Sequence, residues 1–420
     1  MSPPAEPTTE APLPLAYVTP ERTGEFLAPA LHAFYEEFDP EASAPALGVV
    51  EPDRSFGGTV QGRWVSTCAA YTRTMTVPGG SVPVAAVSLV TVAPSYRRRG
   101  LLRQMMRHQL DDVVARGTEP VALLWASESG IFGRFGYGAA TSQLRLSGAT
   151  RETGYRADVD LGRGRVVEVD PEQWRAVAAD LHARLLPARP GALDRPPGWW
   201  AVLAHDPPAR RQGGSALRYA VHRDPTGVVT GYVAYRRRTR PGAGFGADGE
   251  VLVTAVEAAD AAARARLWRF VLDLDLVRTF RAVVAPDEPL VHLLEDPRAV
   301  TAERVDGTYA RLVDVPRALA ARACAAPLDL VLGVRDDLLP GNDGCFRLRA
   351  EAGSAAQVER VDEAPDVQLA VRDLGALYLG GTTAAALAAA GLVSEHRPGT
   401  VAALSTALSW PRQPYCPDFF

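Results

Sequence analysis

Residues 87–102 read Val-Ser-Leu-Val-Thr-Val-Ala-Pro-Ser-Tyr-Arg-Arg-Arg-Gly-Leu-Leu, and this stretch decides the fold of the N-terminal third of the chain. An apolar, β-branched run stops at Pro94, three arginines and Gly100 follow, and the next apolar residues have helical spacing. The predicted apolar helix face consists of Leu101, Leu102, Met105, Met106, Leu110, Val113 and Val114. A strand that runs into a tight basic loop at a helix N-terminus favours anion binding, because backbone N–H groups and the helix dipole act together there. The stretch therefore predicts a diphosphate site.

The arginine run at positions 97–99 also has a simpler interpretation. Runs of like charge are usually solvated surface or a weak nucleic-acid patch. The flanking strand and helix favour the anion site instead. A net charge of −4 and a pI near 6.0 argue against nucleic acid as a bulk partner.

A second informative stretch covers residues 121–138, which read Val-Ala-Leu-Leu-Trp-Ala-Ser-Glu-Ser-Gly-Ile-Phe-Gly-Arg-Phe-Gly-Tyr-Gly. The apolar run at its start predicts another buried strand. The glycine-punctuated aromatic residues that follow predict a turn. A strand, a helix and a second strand in this order are typical of an α/β unit.

The remaining composition indicates no metal site and no nucleophile of the Ser-His-Asp kind. The seven histidines are scattered singly, and the four cysteines (Cys68, Cys324, Cys345 and Cys416) show no CxxC pairing. No apolar run reaches membrane-spanning length, and the N-terminus lacks the basic and apolar regions of a secretory signal. We therefore expect a cytoplasmic protein without a metal, nucleic-acid or membrane partner, whose residues 3–14 form a frayed leader.

A chain of 420 residues is too long to fold around one hydrophobic core. We therefore predict three domains, at residues 1–150, 151–305 and 306–420. The middle domain begins with a hairpin of Leu217–Val221 and Val228–Tyr235. It then repeats the strand–loop–helix order, with a strand at Val251–Val256 and Asp260 as the helix N-cap. The loop between, residues 257–260, is acidic where a pyrophosphate needs positive charge. We expect a degenerate copy of the first fold without the ligand.

The third domain combines short strands with helices rich in small residues. The predicted strands are Thr308–Val313, Leu328–Val334, Phe346–Arg349 and Val367–Val371, and the predicted helices are Leu374–Leu379, Thr383–Ala390 and Thr400–Leu408. Such helices form either a lipid pocket or a packing surface, and packing is favoured. The chain ends in Tyr-Cys-Pro-Asp-Phe-Phe. Because free termini are normally polar, this aromatic end predicts a docked terminus.

The two N-terminal stretches, with Thr76–Gly80 before them, resemble the enhanced intracellular survival (Eis) family of actinobacterial GCN5-related N-acetyltransferases. Leu290–Arg298, Leu374–Gly381 and Phe420 extend the resemblance along most of the chain. The Arg97–Leu102 loop resembles the family's own variant of the acetyl-CoA pyrophosphate loop. The resemblance implies an α/β (α+β) fold with an acetyltransferase domain, a degenerate acetyltransferase-like domain and a sterol-carrier-like C-terminal domain. It also implies acetyl-CoA as co-substrate, a small-molecule amine acceptor and a homo-hexamer.

The resemblance also implies roles for individual residues. In the family, the two parallel strands splay apart around the pantetheine arm, and the C-terminal carboxylate, here that of Phe420, is the general base. Ser127 would contact pantetheine and is a candidate catalytic group. The residues that the resemblance places at the cofactor are Val90, Thr91, Val92, Arg97, Arg98, Arg99, Gly100, Leu101, Leu102, Arg103, Ser127 and Glu128. Those that line the active site are Trp125, Phe132, Tyr137 and Phe419.

Two positions depart from the family pattern. Phe132 occupies the place of the general-acid tyrosine, four residues before Gly136, and Phe419 occupies a penultimate position that is acidic in antibiotic-modifying members. Both departures replace a polar group by an apolar ring. They favour a less polar acceptor than an aminoglycoside, since ammonium groups are costly to desolvate without acceptors. An N-acetyltransferase is the first hypothesis, and a repurposed or non-catalytic CoA- or lipid-binding protein is the alternative.

Overall fold

The computed structural model describes residues 13–211, 213–239 and 248–420. It contains three mixed α/β units, each built on its own sheet. The predicted leader lies almost wholly outside the described residues.

The first sheet contains both strands that the sequence analysis singled out. Its strands are β1 (Leu15–Tyr17), β2 (Ser55–Val60), β3 (Arg63–Trp64), β4 (Ser66–Val77), β5 (Gly80–Val92), β6 (Val121–Trp125), β7 (Gly138–Ala139) and β15 (Thr308–Leu312). Its helices are α1 (Thr23–Ala33), α2 (Ala44–Leu47), α3 (Leu101–Arg116) and α4 (Ser129–Phe132). The strand order is β1-β2-β4-β5-β6-β15-β7, with β3 beside β2. β5 and β6 are parallel and are joined by α3, as the sequence predicts.

Helix α3 buries the apolar face that its sequence predicts, with one exception. Leu101, Met105, Met106, Leu110 and Val113 are buried, and Leu102 is half-buried. Val114 is half exposed, so its predicted place in the core is wrong. The buried stripe runs through positions 105, 109 and 113, and Gln109 is buried there instead.

The second sheet contains the hairpin and the second strand–loop–helix unit. Its strands are β8 (Ser142–Ala149), β9 (Arg165–Val169), β10 (Arg218–Arg223), β11 (Val229–Thr239), β12 (Gly249–Ala258), β13 (Val277–Val284) and β14 (Val300–Asp306). Its helices are α5 (Pro171–Leu185), α6 (Pro197–Ala204), α7 (Ala261–Leu272) and α8 (Leu290–Leu293). The strand order is β14-β8-β13-β12-β11-β10-β9. The β10–β11 hairpin and the Asp260 N-cap of α7 are confirmed.

The third sheet is the smallest and includes two short strands that the sequence analysis missed, β18 and β20. Its strands are β16 (Leu328–Arg335), β17 (Gly344–Ala350), β18 (Gln357–Val361), β19 (Val367–Ala370) and β20 (Val393–Glu395). Its helices are α9 (Val315–Ala320), α10 (Val371–Leu377), α11 (Ala384–Ala389) and α12 (Thr400–Leu408). The strand order is β18-β17-β16-β19-β20.

Two strands lie in a different sheet from the one that the predicted boundaries imply. β8, predicted within residues 1–150, pairs with β13 and β14 of the second sheet. β15, predicted within residues 306–420, lies between β6 and β7 of the first sheet. Every residue of β15 is buried. The sequence marks such a run as a strand, but it does not identify the strand's partners.

The core of the third domain is continuous with one face of the first sheet. Leu374 and Leu377 of α10 and Leu404 and Leu408 of α12 are buried in that shared core. At Gly375 the two backbones approach so closely that a Cβ would lie 2.3 Å from the carbonyl oxygen of Ala310. These helices therefore serve as packing surface, which is the favoured prediction.

Candidate active site

The basic loop is defined as Arg97–Arg103. It connects β5 to α3 and includes the first three residues of that helix. A single 3-10 turn, Pro94–Tyr96, follows β5, and α3 begins directly after Gly100. Arg98 has a φ of 64° and Gly100 a φ of 82°. Left-handed residues of this kind turn successive backbone N–H groups into an anion-binding concavity. A Cβ at Gly100 would meet nothing within 4 Å, so backbone conformation, rather than space, favours glycine there.

The electrostatics of the basic loop favour an anion. No side chain among the described residues caps the N-terminus of α3. Its first-turn N–H groups lack intrahelical acceptors, and the helix dipole adds partial positive charge. Arg97, Arg98, Arg99 and Arg103 are exposed around this point. Leu101 is buried, so it can contribute only its backbone.

A cleft opens where β5 and β6 separate. The two strands pair only from Val84 to Val87, opposite Val121 to Leu124. Trp125, the last residue of β6, has no partner on β5 and pairs with Thr308 of β15, which lies along the other edge of β6. In the described part of the chain, Val90–Val92 have no partner strand on the β6 side. The free backbone edge can therefore accept an extended, amide-containing chain as if it were an added strand.

A β-bulge at Leu89 accompanies this separation. Leu89 has a φ of 53°. Thr67 of β4 pairs with Thr91, whereas Ala69 pairs with Ser88, so β5 contains one extra residue here. The Thr67 hydroxyl donates to the Leu89 carbonyl oxygen at 2.6 Å. Since a bulge bends its strand and increases the local twist, it explains why β5 leaves β6.

The aromatic turn, residues 126–137 between β6 and β7, has some residues on the surface and others in the core. Ser127 and Glu128 are exposed directly after the end of β6. Phe132 is only 8% exposed, and its ring centroid lies 6.3 Å from that of Tyr137. Phe132 therefore packs mainly against the core beneath α3.

Tyr137, which is predicted to line the active site, lies in the core of the first domain. Its side chain is completely buried, and its hydroxyl donates to Oε1 of Gln109 on α3 at 3.4 Å. Burial raises the pKa of the Tyr137 phenol far above its usual value. The aromatic motif resembles a surface turn in sequence, but tertiary packing directs this ring inward. Tyr137 therefore cannot donate a proton in the cleft.

Sequence reasoning missed a second tyrosine in this region, Tyr309 on β15. Its hydroxyl donates to Oδ2 of Asp306 at 2.7 Å, and burial raises the pKa of Tyr309 to about 12. Its strand pairs with both β6 and β7, which brings it beside the aromatic turn. The strand itself was recognised in the sequence. Its placement was not, because β15 is more than 160 residues away from its neighbours along the chain.

The C-terminal residues dock at the carboxyl end of β6. Nε1 of Trp125 donates to the carbonyl oxygen of Asp418 at 2.9 Å, and the Trp125 ring centroid lies 5.7 Å from that of Phe419. Phe420 is 8% exposed, whereas Phe419 is 72% exposed. Trp125 is the last residue of β6, the strand that borders the cleft. The chain therefore ends beside the cleft with one ring buried and one ring open to solvent.

Two kinds of feature are absent from the described ranges. No group of three or more His, Cys, Asp or Glu residues there is placed to hold a metal ion. No helix in the same ranges is long and apolar enough to cross a membrane.

Comparisons with known proteins agree with this architecture. Residues 17–140 and residues 191–312 each match a family model described as an acetyltransferase (GNAT) domain. Residues 315–417 match a model described as a sterol carrier protein domain. The three-part fold that the resemblance implies is thereby confirmed.

Relatives match over most of the chain. An uncharacterized N-acetyltransferase of Streptomyces avermitilis is 42% identical over 388 residues, which is 89% of this chain and 90% of the relative. N-acetyltransferase Eis of Mycobacterium tuberculosis is 37% identical over 326 residues, 75% of this chain and 76% of the relative. The crystal structure of Eis1 from Mycobacterium abscessus has a TM-score of 0.81 at 32% identity and covers 97% of this chain and 100% of that one. The protein is therefore an acetyltransferase, and the chain belongs to the Eis family of GCN5-related N-acetyltransferases.

Proposed function

We propose that the protein transfers the acetyl group of acetyl-CoA to the amine of a small, weakly polar acceptor, with the C-terminal carboxylate of Phe420 as general base. The amine nitrogen attacks the thioester carbonyl carbon, the base takes the amine proton, and the carbon–sulfur bond breaks to release the CoA thiolate. The observation that carries the proposal is the docking of the chain end beside the cleft between β5 and β6.

The cofactor assignment rests on charge and on the free strand edge. The diphosphate and 3′-phosphate of CoA carry several negative charges, which the basic loop attracts through exposed arginines and first-turn N–H groups. The pantetheine arm contains two amides and would extend along Val90–Val92. Backbone N–H groups on this edge would also stabilise the developing oxyanion. Ser127 stands exposed on the other side of the cleft, where the arm would pass.

Proton delivery to the leaving thiolate needs no tyrosine in this proposal. Phe132 has no proton to give, and the hydroxyl of Tyr137 is buried. Thiols ionise near pH 8 to 9, about the unperturbed cysteine value, so a CoA thiolate is a tolerable leaving group. The thiolate either leaves unaided or takes a proton from water or from Ser127.

The acceptor class follows from the rings at the chain end. Phe419 is largely exposed, and Trp125 lies beside it. An apolar group next to the acceptor amine would pack on these rings and be removed from water. A polycation would lose hydration there without finding a carboxylate at position 419. We therefore propose an alkylamine or aralkylamine rather than an aminoglycoside.

A thiol-release assay with acetyl-CoA tests the proposal. We expect kcat/KM for an aralkylamine to exceed that for an aminoglycoside by about 10-fold or more, which corresponds to ~1.4 kcal/mol of differential binding. The matched variant Phe419→Glu should reverse this preference by placing a carboxylate beside Trp125. Thiol release that is faster with the aminoglycoside would contradict the acceptor class. No release with any amine would favour the non-catalytic alternative.

Assembly and location also belong to this proposal. We propose a homo-hexamer, which the resemblance implies, and a cytoplasmic location, which the sequence predicts. Sedimentation of the purified protein checks the assembly, and a monomer at micromolar concentration would contradict it.

A further inference from the structure

In the C-terminal segment, defined as residues 409–420, Asp418 is held by both its side chain and its backbone. Nε and Nη2 of Arg195 both lie 2.8 Å from its Oδ1, and Nη2 of Arg73 lies 3.7 Å from its Oδ2. Its carbonyl oxygen accepts from Nε1 of Trp125 and from the thiol of Cys416. Both the side chain and the backbone of Asp418 are therefore fixed, two residues before the chain ends.

The arginines that hold Asp418 are themselves immobilised. The guanidinium of Arg73 lies 4.4 Å from the ring centroid of Trp199, and its Nε donates to Oδ1 of Asp194 at 3.0 Å. The guanidinium of Arg195 lies 5.0 Å from the ring centroid of Trp200. Cation–π contacts of this kind stabilise a buried charge while restricting its orientation. The cluster contains two guanidinium groups and two carboxylates, so its formal charge is balanced.

The segment that supplies Arg195 forms a bridge between the first sheet and the chain end. Residues 190–194 follow the edge of β4, with N–H of Thr76 donating to the Ala192 carbonyl and N–H of Gly191 donating to the Thr76 carbonyl. On the other side, N–H of Tyr415 donates to the carbonyl of Pro190 at 2.9 Å. The C-terminal segment is thereby attached to the sheet that borders the cleft.

We propose that Asp418 is a positioning residue for the terminal carboxylate, held in a clamp that consists of Asp418, Arg195, Arg73 and Trp125. This inference rests on the proposed role of Phe420 as general base. Two residues span at most about 7 Å of extended chain, so fixing Asp418 confines the Phe420 carboxylate to a small volume. A general base must lie within hydrogen-bond reach of the proton that it takes, and the clamp supplies that accuracy without touching the substrate.

Substitutions in the clamp should change the chemical step and leave cofactor binding intact. For Asp418→Asn we expect a fall in kcat of about 10²-fold, the scale of a lost general base. KM for acetyl-CoA should stay within about 2-fold of the wild-type value, because the basic loop, which would bind the phosphates at the far end of the cofactor, is unchanged. Asp418→Glu, which keeps the charge, should retain at least about 10 times the kcat of Asp418→Asn. Trp125→Phe removes the donor to the Asp418 carbonyl but keeps an aromatic ring beside Phe419, and it should cost less than Asp418→Asn.

A matched control separates positioning from a general loss of stability. Glu119 pairs with Arg54 in another buried ion pair of the first domain, at the opposite end of β6. Glu119→Gln also leaves a buried arginine unpaired but should keep kcat within about 2-fold. An equal fall in kcat in Glu119→Gln and Asp418→Asn, or a rise in KM for acetyl-CoA that accounts for the whole loss in Asp418→Asn, would overturn the positioning role.

Hydrogen exchange of residues 418–420 tests the clamp independently of any activity. We expect faster exchange there in Asp418→Asn than in wild type, and no change in Glu119→Gln. Equal exchange in all three proteins would overturn the clamp. If exchange changes as expected but wild type releases no thiol with any amine, then the proposed function fails and the docking of the chain end stands.

Discussion

The first and second domains contain the same strand–loop–helix unit with opposite chemistry at the helix N-terminus. In the first domain the loop is basic, and Gly100 precedes α3 without a capping side chain from the described residues. In the second domain the loop is acidic, and Oδ1 of Asp260 accepts from N–H of Ala263 at 2.7 Å. The anion position of α7 is therefore already taken by the chain's own carboxylate. The N-terminus of α3 is left for a ligand, whereas the N-terminus of α7 is capped by a side chain of the same domain.

The clefts of the two domains also differ in how far the chain itself occupies them. A cavity of about 350 Å³ lies at the ends of β12 and β13, but Arg412 and Tyr415 of the C-terminal segment form part of its wall. Its lining includes Glu257 and six arginines, and five of those arginines form ion pairs with carboxylates of this chain. The same segment then ends beside the first cleft with Phe420. The second domain thus supports the chain end, and in the proposed mechanism the first domain uses its carboxylate.

The largest expected effect comes from making the basic loop of the first domain acidic, as the corresponding loop of the second domain is. Arg98→Ala with Gly100→Asp removes a guanidinium and places a carboxylate at the N-terminus of α3. Each lost charge-assisted contact costs ~1.5–3 kcal/mol, so we expect about 10³-fold weaker acetyl-CoA binding in a folded protein. Calorimetric titration measures the affinity, and circular dichroism checks folding.

The other end of α3 supplies the control for this double variant. Gly117 also has a positive φ, of 65°, and follows the last residue of the helix. Gly117→Asp introduces the same strain and the same charge away from the basic loop, so its acetyl-CoA affinity should stay within about 2-fold of wild type. Unchanged affinity in the folded double variant would refute the phosphate assignment.

A smaller loss should follow from displacing the chain end. A few residues appended after Phe420 convert its carboxylate into a peptide and push the end away from Trp125. We expect turnover to fall by about 10²-fold or more, the contribution of a general base, while acetyl-CoA still binds. Steady-state kinetics of tagged and untagged protein check this. The same tag at the N-terminus is the control, and equal rates for both tagged forms and the untagged enzyme would remove Phe420 from the mechanism.

The local features of both loops could be predicted from sequence because they depend on neighbouring residues. Hydrophobic spacing located β5, α3 and β6, and the Asp260 cap follows from residue type and position. The proposed role of the loop arginines rests on the same local context. The family resemblance added Phe420, which no local pattern would have linked to residues 295 positions earlier, such as Trp125.

What the sequence could not provide were contacts between distant segments. The insertion of β15 into the first sheet, the inward direction of Tyr137 and the pairing of Arg195 with Asp418 all depend on tertiary packing. Residues 306–420 were predicted as one unit because strand patterns carry no information on the partner strand. For the same reason the clamp around Asp418 could not be predicted, because nothing in the sequence shows that its four residues are close together in the fold.

An intermediate effect is expected at the aromatic turn of the first domain. Phe132→Tyr adds a hydroxyl where the family has its general acid. If the hydroxyl reaches the thiolate, acetyl transfer to simple amines should rise by about 10-fold, a low-end contribution for acid catalysis. Kinetics on several acceptors decide this. Phe135→Tyr adds a hydroxyl to an equally buried ring three residues further along the same turn, so it is the control and should bring no gain. A Phe132→Tyr enzyme no faster than wild type would mean that the pocket serves a chemistry without acid assistance.

The smallest expected effect opens the anion position of the second domain. Asp260→Ala removes the side-chain acceptor of the Ala263 N–H and should lower the free energy of unfolding by about 1 kcal/mol, the usual cost of losing an N-cap. Asp170 caps α5 in the same domain through N–H of Gln173, so Asp170→Ala is the matched control and should cost a similar amount. Neither variant should bind a second equivalent of acetyl-CoA, because Arg412 and Tyr415 of the C-terminal segment still form part of the cavity wall. Denaturant unfolding measures the first effect and calorimetric stoichiometry the second. Two bound equivalents in Asp260→Ala alone would mean that the cap by itself keeps the second domain from binding the cofactor.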